Sequence, residues 1–282
     1  MGHRPAASTL PTHGADRLAV VSAPKDPPRP IRRHPSAGNL GMRPALIEEA
    51  ASAEQPPLVG FPAGAEDGPA LALGPGLDPD LADRLIGSTD GKRILELGTG
   101  TGRVGVELAG RGAKVICVEP SIERVTDARA IADAAKVKVE YHHGDLADLA
   151  FVRGDQIDLA LAVYSLASVD DLGRVFRQVN RVLRSEASLI VSLPHPLSLI
   201  AEISDGGPRL TRTYFDSSPI RWQLDGEVGT VHPHSVGEVI TTLWRSNFRV
   251  DTVLEPAPTA NTDLLGEWVP TSLVIRARKQ GV

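Results

Sequence analysis

From residue 93 to 193 the chain alternates between two hydrophobic rhythms. RILEL (93–97), AKVICVE (113–119), QIDLALAVYSL (156–166) and ASLIVSL (187–193) are apolar at nearly every position, as strands buried on both faces are. VKVEYHH (137–143) adds a further strand. Between these runs lie GRVGVELAGRG (102–112), SIERVTDARAIADAA (121–135) and DLGRVFRQVNRVLRS (171–185), where apolar residues return every three or four positions; in the last, Val175, Val179 and Val182 share one face. Alternating strands and amphipathic helices of this kind predict a doubly wound α/β fold, a mostly parallel sheet with helices on both sides.

The rhythm fades at both ends. Asp78 is placed to cap a helix that opens at Pro79, so the ordered domain is expected over 76–282. Residues 1–75 hold more than half of the chain's 23 prolines and no sustained periodicity, which predicts a largely disordered extension with one short helix at 45–54. After residue 194 an insertion rich in proline, aromatic and charged residues runs to about 233. SVGEVITTLWRSNF (235–248) then reads as a helix with a Ser235–Glu238 capping box, and RVDTVLE (249–255) and TSLVIRAR (271–278) read as two closing strands.

Composition narrows the function classes. A formal net charge of −5 argues against a surface that neutralises phosphates, so nucleic acid is not expected as a partner. No apolar run reaches the ~18 residues that span a bilayer, and no signal-peptide core is visible, so a cytoplasmic protein without a membrane anchor is expected. Cys117 is the only cysteine, which precludes an internal disulfide and suits a reducing compartment. No metal site is expected: His142 and His143 are adjacent on a strand and point to opposite faces, while His232 and His234 lack a third ligand.

The chemistry concentrates in LELGTGTGRVG. Gly100, Gly102 and Gly105 fit the G-x-G-x-x-G spacing that wraps a dinucleotide pyrophosphate, whereas Gly98, Gly100 and Gly102 form a second register led by Glu96. In a parallel sheet the ligand lies beyond the carboxyl ends of the strands, which here carry Glu96, Glu119, Asp145 and Tyr164. Glu119 suits a ribose diol in either register. An ionised Glu96 beside the loop would repel a pyrophosphate by roughly 2 to 4 kcal/mol, more than the ~0.3 to 1 kcal/mol that a helix N-terminus returns. A ligand bearing an ammonium and a sulfonium would be attracted.

LELGTGTGRV, VEPS and HHGDLADL together resemble the cofactor segments of class I S-adenosylmethionine-dependent methyltransferases, and the resemblance extends over about residues 78 to 280. It implies a seven-stranded Rossmann-like sheet whose last strand, in PTSLVIRARK, inserts antiparallel. It also implies that Glu96 and the backbone of Gly98, Gly100 and Gly102 hold the methionine part of S-adenosylmethionine. Glu119 would take the ribose hydroxyls, and Asp145 with the Leu146 amide the adenine; Tyr164 ends the fourth strand beside them. The turn AVYSLASVDD lacks the Asn/Asp-Pro-Pro-aromatic sequence of many amide and exocyclic-amine methyltransferases, which favours a small-molecule acceptor. His195, after the fifth strand, and His234, before the helix at 235, are the candidate catalytic bases, with His232 beside the latter. The rival readings are an NAD(P)-dependent oxidoreductase and a protein that binds S-adenosylmethionine without catalysis.

Overall fold

The computed structural model describes residues 71–281 apart from 72, 75, 205–206, 225–226 and 258–264. The helix expected at 45–54 lies outside the described residues. In chain order the elements are α1 (Pro79–Ile86), β1 (Arg93–Leu97), α2 (Arg103–Gly110), β2 (Lys114–Glu119), α3 (Ile122–Ala134), β3 (Val139–His143), β4 (Ile157–Val163) and α4 (Leu172–Val182). They continue with β5 (Leu183–Pro194), β6 (Ala201–Ser204), β7 (Gly207–Leu210), β8 (Ile220–Leu224), β9 (Glu227–Val231), α5 (Val236–Arg245), β10 (Phe248–Leu254) and β11 (Ser272–Lys279). The helix starts follow the caps: Asp78 accepts from the amides of Asp80 and Leu81, and Ser121, Asp171 and Ser235 each accept from the amide three residues on.

Seven strands form one sheet in the order β10-β11-β5-β4-β1-β2-β3. All pair in parallel except β11, which runs antiparallel to both β10 and β5. Strand alternation then assigns the faces. Leu95, Leu97, Ala160, Ala162, Leu273 and Ile275 pack with Phe176 and Val179 of α4 and Val239 and Leu243 of α5. Ile94, Leu159, Leu161, Ile190 and Val274 pack on the other side with Leu85 and Ile86 of α1 and Leu108 of α2. Central strands buried on both faces account for their nearly unbroken apolar sequence.

Two departures from the expected pattern bear on function. The insertion after β5, for which the sequence suggested no elements, holds two antiparallel hairpins, β6–β7 and β8–β9, whose short strands carry too few residues to show a period. The packed chain also begins before residue 76. Leu71 and Leu73 are buried against Ile94, Leu161 and Val274, and the Leu73 carbonyl accepts from the Ser192 hydroxyl of β5. Gly74, at φ +127°, passes so close to Ser272 and Tyr164 that a Cβ there would lie 2.8 Å from each hydroxyl oxygen. Two leucines in a proline-rich context are too short a signal to stand out from an extension. Ser192→Ala is expected to cost about 1 to 2 kcal/mol, because it leaves the buried Leu73 carbonyl unpaired; a denaturation midpoint equal to wild type would show that this segment is not anchored there.

Candidate functional site

The loop between β1 and α2 is shaped by its glycines. Gly98, Gly100 and Gly102 all have positive φ, +83°, +49° and +76°, a region that costs other residues about 1 to 2 kcal/mol. The Gly98 amide donates to the Val118 carbonyl at 2.8 Å and the Gly102 amide to the Thr99 carbonyl at 2.7 Å. Gly98 runs directly under Ser165, whose hydroxyl donates to the Leu97 carbonyl and ties the ends of β1 and β4 together. Gly105 has a different purpose. It lies inside α2, and a Cβ on it would stand 2.5 Å from a carboxyl oxygen of Glu96; the third glycine of the dinucleotide-like spacing leaves room for an acid of this chain.

Glu96 therefore requires a correction. Alternation along β1 sends it, like Ile94, to the α2 face, where its carboxyl is buried beneath the first turn of that helix and accepts from the Gly105 amide. It pairs in register with Cys117, and Cys117 with Tyr141. Burial, with the charge of Glu119 added, pushes its pKa up to about 8 despite hydrogen bonds from Cys117 and Gly105. At neutral pH the group is mostly protonated. The carboxyl expected at the loop mouth thus lies beneath α2, where burial opposes the charge on which electrostatic rejection of a pyrophosphate would rest.

Glu119 closes the loop from β2. One carboxylate oxygen accepts from the Thr99 amide at 2.8 Å and the Thr99 hydroxyl at 3.2 Å; the other accepts from the Ser121 amide at 2.9 Å. A carboxylate offers about four acceptor positions, so one remains and a second is released when the Thr99 hydroxyl turns away. Beside it Ile122, an apolar residue at the first position of α3, is 47% exposed. Asp145, at the turn after β3, accepts from the Ala147 amide at 2.7 Å and lies 3.3 Å from Arg174 of α4. The Leu146 amide makes no hydrogen bond among the described residues, although its side chain is buried.

Three expected residues are placed otherwise than the reading of the chain proposed. Tyr164 has φ +59°, donates its amide to the Ser192 carbonyl at 2.9 Å and buries its ring against Gly74, with its hydroxyl 2.5 Å from that of Ser272. Burial raises its pKa far above the ordinary phenol range. The side chain thus serves the joint with Gly74 and Ser272. His195 is buried; its Nδ1 accepts from the Leu197 amide at 3.2 Å, so its proton sits on Nε2 and is donated to Glu255 at 2.8 Å. Desolvation lowers its pKa, partly offset by Glu255. Neither nitrogen is free to take a proton from a substrate. His234 is likewise buried, with Nε2 2.7 Å from the Val169 carbonyl and Nδ1 3.3 Å from Glu238. His232 reaches solvent in part, its amide on the Ala167 carbonyl and its Nδ1 3.4 Å from Asp170.

Thr99, Ser165, Arg174 and Ile122 were not legible as site residues. Ile122 had a usable signal, an apolar side chain directly after a helix cap where the core-facing positions begin only at Val125. Among the described residues no helix is long and apolar enough to cross a membrane.

The strand order, the reversed β11 and the glycine loop at the carboxyl end of β1 define a Rossmann-like methyltransferase fold. Comparison with known proteins agrees: residues 94–186 match the family model of a methyltransferase domain. Over these residues the chain is similar to S-adenosylmethionine-dependent methyltransferases of class I. It is similar to the ubiquinone biosynthesis O-methyltransferase of Azorhizobium caulinodans, 33% identical over 39% of this chain and 43% of that protein. The magnesium-protoporphyrin O-methyltransferase of Rhodobacter capsulatus is 32% identical over 40% of this chain and 50% of that one. The chain thus spans about half the length of these curated relatives or less. A solved S-adenosylmethionine-dependent methyltransferase from Mesorhizobium loti is similar over 69% of this chain and 94% of its own, with 27% identity and a TM-score of 0.61. A methyltransferase of the same cofactor class from Aquifex aeolicus shares the fold at 17% identity, over 76% and 95% of the two chains, with a TM-score of 0.52.

Proposed function

We propose that this protein is an enzyme that moves the methyl group of S-adenosylmethionine to an oxygen of a small-molecule acceptor. The observation that carries the reading is the loop itself, three glycines at positive φ closed by a buried carboxylate that keeps an acceptor position for a hydroxyl. The residues fit the cofactor by chemistry. Glu119 would hold the ribose hydroxyls, which are donors, and Asp145 the adenine amino group; the unpaired Leu146 amide would meet a ring nitrogen, with Ile122 against the ring. When bound, the cofactor supplies an electrophilic methyl on a sulfonium with a good leaving group, so the protein's work is alignment. The names of the curated relatives, both O-methyltransferases, support oxygen as the acceptor atom. With His195 and His234 engaged at both nitrogens, the reading favours an acceptor oxygen that ionises readily, or one served by the more open His232. His195 and Glu255 instead hold the end of β5 against the segment after β10.

Two measurements test this. Incubation with methyl-labelled S-adenosylmethionine and a metabolite extract is expected to label a small molecule, and label on no acceptor would leave a binding protein rather than an enzyme. Titration with S-adenosylmethionine and with a nicotinamide dinucleotide is expected to show binding of the first; binding of the dinucleotide alone would overturn the assignment. Glu119→Ala is expected to weaken cofactor binding by about 1 to 3 kcal/mol through loss of charge-assisted hydrogen bonds. Unchanged affinity would remove Glu119 from the site.

A further inference from the structure

The seven-stranded sheet ends in β10 on one side and β3 on the other, and the two edges differ. β10 is blunted: its pairing with β11 shifts register between Val250 and Thr252, and Asp251 at that irregularity is held by Arg276 and Arg278 at 2.8 and 2.7 Å. β3 is regular, paired with β2 from Val139 to His143 without a shift. The Gly144 amide donates to the Glu119 carbonyl. Because backbone groups alternate sides along a strand, those of Val139, Tyr141 and His143 face away from β2. In keeping with that direction, the Tyr141 carbonyl takes a 3.3 Å bond from the exposed side chain of Arg129 on α3. Glu140 and His142 share one face of the strand, with His142 Nε2 2.7 Å from Glu140 Oε1. There Phe151, 40% exposed, stacks on His142 with ring centroids 3.7 Å apart. α3 lies on the other face, where the Tyr141 hydroxyl donates to the Ala128 carbonyl at 3.1 Å.

We propose that β3 pairs antiparallel with β3 of a second copy of this chain, across a two-fold axis at Tyr141, so that two sheets join into one. A two-fold edge contact demands a self-complementary strand, and VEYHH is one in this register. Tyr141 faces Tyr141 of the second copy and Val139 faces its His143, so the outward backbone groups exchange hydrogen bonds once Arg129 releases the Tyr141 carbonyl. Glu140 then faces His142 of the second copy, twice by symmetry, in the narrow pairs where opposed side chains approach closest. Phe151 of each copy shields its own His142 from solvent on one side. Other registers are poorer. An axis one residue earlier sets Glu140 against Glu140 of the second copy; one residue later sets His142 against His142 and leaves Glu140 facing Gly144. Charge thus selects the axis at Tyr141. A contact centred on so short a strand falls at the small end of specific interfaces, so the dimer is a reversible one.

The test is sedimentation velocity of the full chain, where wild type is expected to pass from monomer to dimer between about 1 and 100 µM. A monomer throughout overturns the inference. Glu140→Arg, at a side chain 59% exposed, replaces two attractions with two repulsions and is expected to raise the dissociation constant by about tenfold or more. A dimer of unchanged strength places the contact elsewhere and overturns it as well. Crosslinking reads the register even if that variant fails to fold. Glu140→Cys and His142→Cys are purified separately, mixed and mildly oxidised; opposed residues of a narrow pair have Cα atoms about 4.5 Å apart, within disulfide range, and the native Cys117 is buried. The mixed pair keeps one native Glu140–His142 contact. It is expected to give a crosslinked dimer in excess of either variant alone, and no excess sinks the proposal.

Discussion

Gly98→Val is expected to lower stability by about 2 to 5 kcal/mol and to abolish cofactor binding in whatever fraction stays folded. Two costs combine. At φ +83° an L-residue pays about 1 to 2 kcal/mol, and a β-branched one is still less tolerated there. The new Cβ also overlaps that of Ser165, whose place is fixed by its hydroxyl bond to the Leu97 carbonyl; relieving such overpacking typically costs about 1 to 3 kcal/mol. Gly91 supplies the control, since it has φ +71° and nothing within 4 Å of a built Cβ, so Gly91→Val pays only the backbone term. Urea denaturation of both variants separates the two contributions. Costs that agree within error would mean that Ser165 does not constrain the loop, and retained cofactor affinity in Gly98→Val would remove this loop from the binding site.

How far such features were readable depends on the range of the interactions behind them. The parallel sheet was legible because central strands such as β4 and β11 are buried on both faces, which forces a nearly unbroken apolar run on the local sequence. Helix starts were legible because a cap acts over three residues, as Ser235 does on Glu238. The hairpins of the insertion were hidden, since strands of four or five residues at a partly exposed surface need little periodicity. Leu73 was hidden because its partners, Ser192 and Ile94 among them, lie far along the chain.

The same distinction divides the candidate site. Gly98, Gly100 and Gly102 announce themselves through backbone conformation, a local property, and the positions of Glu119 and Asp145 follow from strand ends. The state of Glu96 does not. It depends on α2 settling over β1 with a glycine at 105, a tertiary fact that turns an apparent surface acid into a buried neutral one. Histidines behave likewise: His195 and His234 follow a strand and precede a helix where bases are expected, yet Glu255 and Val169, both remote in sequence, occupy their nitrogens.

Burial of Glu96 should also be visible in stability without any ligand, with an effect as large as that of Gly98→Val. Its folded pKa of about 8 lies above the value of 4.5 expected for an unhindered carboxyl, so between these limits the folded protein holds a proton that the unfolded chain has lost. Stability from this group is fully present below about pH 4.5, declines as pH rises, and is gone above about 8. A separation of three to four units corresponds to about 4 to 5 kcal/mol. His195 acts with the opposite sign, because its pKa is lowered in the fold: its contribution is present above the ordinary histidine pKa and is lost as pH falls. The two would be confounded in a wild-type profile. Subtracting the profile of Glu96→Gln cancels His195 and every other shared group, leaving Glu96. Relative to wild type, the variant is expected to gain stability steadily from pH 5 to 8 and to level off beyond, as measured by urea midpoints across that range. A flat difference would mean that Glu96 is ionised in the folded protein across that whole range, so that the acid beneath the loop carries its charge before any cofactor arrives.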